Sequence, residues 1–250
     1  MWFGFSTPIR IRNTLLLLLT CAAGYVDAIG YRGLDRVFTA NMTGNTVLLG
    51  LALVEADGQA ALRSGLALAG FLVGSALGAW IIERSRPANV WPLPVTAALA
   101  LEWGILLAFA IGWLWFSRVF SVPTARAVLI VLSAIAMGVQ SAAVRRFDVS
   151  GIATTYLTGT LTTCVTRFVA WVYRLRALGA TPPREAEGYP GQPLQPAHSA
   201  ALLAAVWLVY LGGAGGAAAA PWLGPALALV VPLTLLLIVL VVAAAAFWPQ

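Results

Sequence analysis

Lysine is absent from the 250 residues, histidine occurs once, cysteine twice, and charged side chains of all kinds make up only 10% of the chain. Each shortage removes a class of protein. A soluble domain covers its water-facing surface with far more charge than this, so lipid must take the place of water around most of the chain. The single histidine, His198, stands at the edge of a loop and cannot readily build a zinc site or a Ser-His pair within a helix bundle. Cys21 and Cys164 lie in separate apolar stretches with no metal-site neighbour, and they imply no disulfide. Neither a Walker loop nor a dinucleotide fingerprint occurs, which argues against an ATP-driven pump working alone. The expectation is a protein that is not an enzyme and needs neither metal nor cofactor.

What the chain has instead is apolar length. It is 60% hydrophobic, with a mean hydropathy of +0.88. All 15 basic residues are arginines, so the pI near 10.0 comes from guanidinium groups placed to anchor helix ends to headgroups and to set topology. That distribution predicts a lipid bilayer as the partner and no nucleic acid.

Crossing a hydrocarbon core of roughly 30 Å takes about 20 apolar residues. Six stretches meet this length: Asn13 to Tyr31, Ala61 to Ile82, Pro94 to Phe116, Ala125 to Val144, His198 to Ala219 and Ala226 to Phe247. The first, preceded by Arg10 and Arg12, reads as a retained helix, because the apolar run continues through Cys21 to Gly24 without a convincing cleavage site. Val37 to Val54 and Ile152 to Tyr173 are ambiguous, since each carries a polar half. Residues 174–198 are hydrophilic and proline-rich, the composition of an extended loop.

The two ambiguous stretches resemble each other. Val37-Phe38-Thr39-Ala40-Asn41-Met42-Thr43-Gly44-Asn45-Thr46 aligns with Ile152-Ala153-Thr154-Thr155-Tyr156-Leu157-Thr158-Gly159-Thr160-Leu161, hydrophobic over hydrophobic and Thr-Gly over Thr-Gly. Each follows a helix and a charged loop, and each precedes a glycine-rich helix, with Gly70, Gly74 and Gly78 in the first and Gly212, Gly213, Gly215 and Gly216 in the second. Small residues at such spacing let transmembrane backbones approach closely, so Gly70, Gly74, Gly78, Gly212 and Gly216 are expected at helix contacts. The reading is an all-α, polytopic transmembrane helix bundle of two internal repeats, 13–116 and 125–247, each with a broken or re-entrant Thr-Gly segment.

Arginine placement bears on the number of crossings. With the N-terminus inside and both Thr-Gly segments returning, there are six spans with ten arginines inside and five outside; with both segments crossing, there are eight spans with nine inside and six outside. The margin slightly favours six. Three spans per half would invert the second copy, the architecture of many secondary transporters.

Few residues are candidates for chemistry. Asp27, in Gly24-Tyr25-Val26-Asp27-Ala28-Ile29-Gly30, is either a proton or cation site or an interfacial carboxylate paired with Arg32 or Arg36. The second copy offers Gln140 and Ser141 near that register. Glu102 is the other acid at membrane depth, functional or paired. In the Thr-Gly segments, Asn41, Thr43, Gly44 and Asn45, with Thr158, Gly159 and Thr160, either line a cavity at a broken helix or have hydroxyls that close onto their own helix. A half-helix N-terminus at such a break would attract an anion.

On the glycine-Asp run at 24–30, the Asn41-Met42-Thr43-Gly44-Asn45-Thr46 run, the 154–161 run and the set Gly138, Gln140, Ala142, Ala143 and Arg145, the chain resembles the YoaK-like family of uncharacterised bacterial membrane proteins over nearly its whole length. The resemblance implies a bacterial inner-membrane protein of about six helices and carries no activity with it. The functional expectation is a secondary transporter or channel-like permease for a small polar or anionic solute, with proton or cation coupling and Asp27 as a candidate coupling site. The alternative is a non-transporting scaffold or accessory subunit. Homo-oligomers are compatible with either.

Overall fold

The computed structural model describes residues 7–83, 90–119, 121–147, 157–177, 196–219 and 225–248. Within them lie eight helices: α1 (Thr7–Gly33), α2 (Met42–Val54), α3 (Gly58–Ile82), α4 (Leu93–Val119), α5 (Val122–Arg145), α6 (Leu157–Ala177), α7 (Pro196–Ala219) and α8 (Pro225–Phe247). Six of these, α1, α3, α4, α5, α7 and α8, are long and apolar enough to cross a membrane, and they contain the six stretches expected from sequence. α2 has 13 residues. At 1.5 Å per residue that is about 20 Å, too short for the hydrocarbon core. α6 has 21 residues, but its threonines and arginines leave it outside the apolar set.

Contacts at the helix ends fix the direction of each span. Arg126 of α5 donates to the Asp35 carboxylate at 2.7 Å, and Arg63 of α3 lies 3.9 Å from the same oxygen. The end of α1 therefore meets the starts of α3 and α5. Arg32 donates to the Ala218 carbonyl at 2.7 Å, which brings the end of α7 to this same face. At the opposite face, the Trp91 ring before α4 lies 4.7 Å from Phe147, just past α5, and 5.8 Å from Phe247, the last residue of α8. Hence α1, α4 and α7 run one way, and α3, α5 and α8 run the other. Because α1 ends where α3 begins, α2 enters and leaves from one face.

Packing follows two close parallel pairs, α3 on α5 and α1 on α7, with α4 against α5 and α8, α1 against α8, α2 on α3 and α6 on α7. Glycine permits the close approaches. A Cβ on Gly74 would fall on the Ile135 carbonyl, and one on Gly138 would fall on the Phe71 carbonyl. Gly70 and Gly78 extend that seam against Val131, Ala134, Val139 and Ala142. In the other pair, Gly24 faces the Tyr210 carbonyl and Gly213 the Cys21 carbonyl. The expected packing role of Gly212 and Gly216 is corrected here. Both are exposed; nothing lies within 4 Å of a Cβ on Gly212, and Gly216 makes only ordinary contact with the Tyr25 ring. The reason is helical phase, since successive residues point about 100° apart and, of the four glycines, Gly213 is the one pressed against the α1 backbone.

The interior between these pairs is filled by fully buried Leu15, Leu16, Leu19, Leu99, Leu106, Met137, Leu203 and Leu236. Large apolar side chains such as Leu72, Trp80, Leu208 and Val241 face outward, the inverse of a soluble surface and the form expected in lipid.

Candidate functional site: a pinned helix break and a solitary carboxyl

Past Gly33 the chain turns at Asp35 and Arg36, whose φ values of 58° and 63° are left-handed. It then runs back alongside α1, with Leu34, Val37, Thr39 and Ala40 buried. A Cβ on Gly30 would press on the Thr39 methyl and the Val37 carbonyl, so glycine makes room for the returning strand. Segment 34–41 is not helical, and its amides need acceptors in a place water does not supply.

Asp27 supplies them. Its Oδ1 accepts from the Thr39 amide at 2.7 Å and the Ala40 amide at 2.6 Å, with longer contacts from the Thr39 hydroxyl at 3.3 Å and the Asn41 amide at 3.4 Å. Its Oδ2 accepts from the Tyr210 hydroxyl of α7. The residue is only 3% exposed. The pairing with Arg32 or Arg36 considered from sequence does not form; Arg32 turns to Ala218, and neutral donors surround the carboxylate. Asp27 thus ties α1, the returning strand and α7 together.

The Asn-Met-Thr-Gly-Asn run completes the break. Asn41 caps α2 by accepting from the Gly44 amide at 3.2 Å. Asn45, fully buried, donates to the Phe38 carbonyl at 2.6 Å and accepts from the Phe38 amide at 3.0 Å, as a neighbouring β-strand would. The Phe38 ring and the Asn41 amide fill the space where a Cβ on Gly44 would sit. Thr43, by contrast, is exposed, and the Thr46 hydroxyl bonds to the Met42 carbonyl one turn back. Three of the four residues singled out in this segment build the break itself rather than line a cavity.

In the second Thr-Gly segment, residues 148–156 lie outside the described residues, including Asp148, Thr154, Thr155 and Tyr156. Of the rest, Thr158 and Gly159 are exposed and Thr160 is buried. The hydroxyls of Thr162, Thr163 and Thr166 bond to the carbonyls of Thr158, Gly159 and Thr163, closing onto their own helix. α6 rests on α7, and Cys164 Sγ donates to the Ala200 carbonyl at 3.4 Å. No extended packing joins α2 to α6 among the described residues.

Two further polar side chains lie in the core. Gln140, 0% exposed, donates to the Leu19 carbonyl at 3.1 Å and bridges α5 to α1. Leu19 precedes Asp27 by eight residues, about 12 Å along the helix, so Gln140 belongs to a separate level. Glu102, also 0% exposed, has no hydrogen-bond partner on either carboxyl oxygen. Its helix packs on α5 and α8 and less extensively on α3, whose one titratable side chain is Arg63 near its start. α8 carries no titratable side chain, and those of α5 are confined to Arg126 and Arg145 near its ends. No group of three or more potential metal ligands occurs among the described residues.

Tyr210, Gly24 and Gly138 are functional or packing partners that sequence reasoning did not select, and Gly213 was named only as part of its glycine-rich run. Gly24 and Gly138 fall within quoted motifs, whereas nothing near Tyr210 marks it as the partner of an aspartate 183 residues away.

Comparison with known proteins gives concordant results. A family profile described as "Protein of unknown function (DUF1275)" matches residues 15–242. The UPF0700 transmembrane protein YoaK of Bacillus subtilis (strain 168) is 46% identical over 155 residues, a stretch covering 62% of this chain and 66% of that protein. No solved structure matches.

Proposed function

The chain belongs to the DUF1275 family of multi-pass membrane proteins, and from that premise we propose that it is a secondary transporter or channel-like permease for a small polar or anionic solute, built from two inverted repeats. The observation that carries this reading is the direction of the spans. Exchanging α1 with α5, α2 with α6, α3 with α7 and α4 with α8 turns the α3–α5 pair into α7–α1, the α4–α5 contact into α8–α1, and α2–α3 into α6–α7. Each exchanged crossing helix runs opposite to its counterpart. The glycine contacts exchange as well, Gly74 with Gly138 in one pair and Gly213 with Gly24 in the other. Inverted repeats with interrupted helices are the frame on which alternating access is commonly built.

Within that frame the polar residues take different parts. Both oxygens of Asp27 are engaged by fixed donors, so we assign it to holding the break rather than to coupling. Among the described residues, neither carboxyl oxygen of Glu102 has a hydrogen-bond donor. A carboxyl in that position gains most from a proton or a cation, and we assign it the coupling role. The bilayer in question is taken to be the bacterial inner membrane, with the N-terminus inside. The scaffold reading keeps one specific support, the closure of the Thr162, Thr163 and Thr166 hydroxyls onto α6.

The test uses proteoliposomes loaded with a pH-sensitive dye and challenged with panels of sugars, amino acids, carboxylates and inorganic anions. At least one class should drive a pH change that Glu102→Leu abolishes. The same substitution should raise stability in detergent by about 1–3 kcal/mol, because it removes buried polar atoms without partners. Silence across all panels under proton and sodium gradients, together with unchanged stability in Glu102→Leu, would sink the permease reading and leave the scaffold.

A further inference from the structure

At the face where α1 ends, the starts of α3 and α5 enclose a cavity of about 350 Å³. Its charged lining is Asp35, Arg63 and Arg126, with Gln59 and Thr124 as neutral polar neighbours. Two guanidinium groups thus share one carboxylate, and the pocket retains one uncompensated positive charge. The sharing is uneven. Arg126 holds the Asp35 Oδ2 at 2.7 Å, whereas Arg63 stays 3.9 Å from that oxygen, beyond hydrogen-bond length. The Nε of Arg63 is buried and has no hydrogen-bond partner. A buried guanidinium nitrogen without an acceptor is costly, and the shape of the group suits two oxygens of one planar or tetrahedral anion.

We propose that this pocket is a binding site for a single oxyanion group, phosphate-like or carboxylate-like, held mainly by Arg63, with Arg126 as the second cation and Asp35 as a built-in competitor. The anion meets the accessible end of the Arg63 side chain, which is 26% exposed, rather than its buried Nε. Gln59 and Thr124 line the same cavity and offer neutral polar groups beside it. Two sources present this chemistry at the end of a membrane helix, a soluble oxyanion and the phosphate of an anionic lipid headgroup. The site is independent of whether Glu102 couples transport.

Its test is isothermal titration of the full chain, delipidated in neutral detergent, with inorganic phosphate at constant ionic strength. Wild type should bind saturably, and Arg63→Gln should weaken binding by about tenfold or more, the loss of a hydrogen bond to a charged group. Asp35→Asn should do the opposite and tighten binding several-fold. Asparagine tolerates the left-handed backbone at that position, and a gain in affinity cannot arise from misfolding. Repeating the titration with phosphatidylglycerol or phosphatidylcholine added separates the sources. Competition by phosphatidylglycerol alone assigns the site to a headgroup, and indifference to both lipids assigns it to a soluble oxyanion. Absence of saturable phosphate binding to wild type, equal affinity in Arg63→Gln, or weaker binding in folded Asp35→Asn would overturn the proposal.

Discussion

Alanine at position 27 should lower the unfolding free energy in detergent by about 2–6 kcal/mol, a large part of the stability of a chain this size. The substitution leaves the Thr39 and Ala40 amides, donors at 2.7 and 2.6 Å, buried without an acceptor. Each stranded amide costs about 1–3 kcal/mol. The Tyr210 hydroxyl loses its acceptor as well, and with it the tie from α7 to the returning strand. Asp27→Asn should cost clearly less. Its amide oxygen can still accept from both backbone donors, and its NH2 can donate to the Tyr210 oxygen, so what is lost is the added strength of hydrogen bonds to a charged acceptor. Thermal unfolding of the three proteins should rank wild type above Asn and Asn above Ala. Equal midpoints for all three would mean that the helix break stands without its pin.

The second large effect concerns neighbouring glycines. Gly213→Ala places a Cβ on the Cys21 carbonyl, and Gly74→Ala places one on the Ile135 carbonyl. These are backbone atoms in fixed helices, so relief requires moving one helix away from the other. Each substitution should cost about 1–3 kcal/mol or more. Gly212→Ala meets nothing within 4 Å and replaces a poor helix former, so it should be neutral or stabilise by roughly 0.5–1 kcal/mol. Two adjacent glycines in one helix are thus expected to respond differently, with a clear loss at 213 and none at 212. Unfolding midpoints measured side by side check this, and equal losses at 212 and 213 would show the crossing to be misplaced.

The pattern of legibility follows from the range of each interaction. Hydropathy is a local property, and in lipid every long span must be apolar, so the six long apolar helices could be read directly, whereas the stretch that holds α2 stayed open between a crossing and a return. The Asn41, Gly44 and Asn45 contacts also lie within a few residues of each other, and their polar cluster before an apolar run marked the break. Asp27 was readable as unusual but not as a pin, because its donors include backbone amides, which look the same in every sequence, and Tyr210 on a distant helix. The glycine-rich run 212–216 announced a close approach, yet a helix turns about 100° per residue, and several phases of that run present small residues. Only the position of α1 selects Gly213. The Asp35–Arg126 pair, 91 residues apart, left no local trace.

The claim on which the proposed function most depends is that α2 enters and leaves the membrane from one face. It is tested by impermeant thiol labelling of intact cells, using variants without Cys21 and Cys164 that carry one new cysteine at Tyr31 before α2, at Glu55 after it, or at Arg145 beyond α5. Positions 31, 55 and 145 are all exposed in the structure. The account predicts labelling at 31 and 55 on the same side, and at 145 only after the membrane is permeabilised. Labelling at one of 31 and 55 but not the other would mean that α2 crosses, that the halves run parallel, and that the inverted-repeat account is wrong.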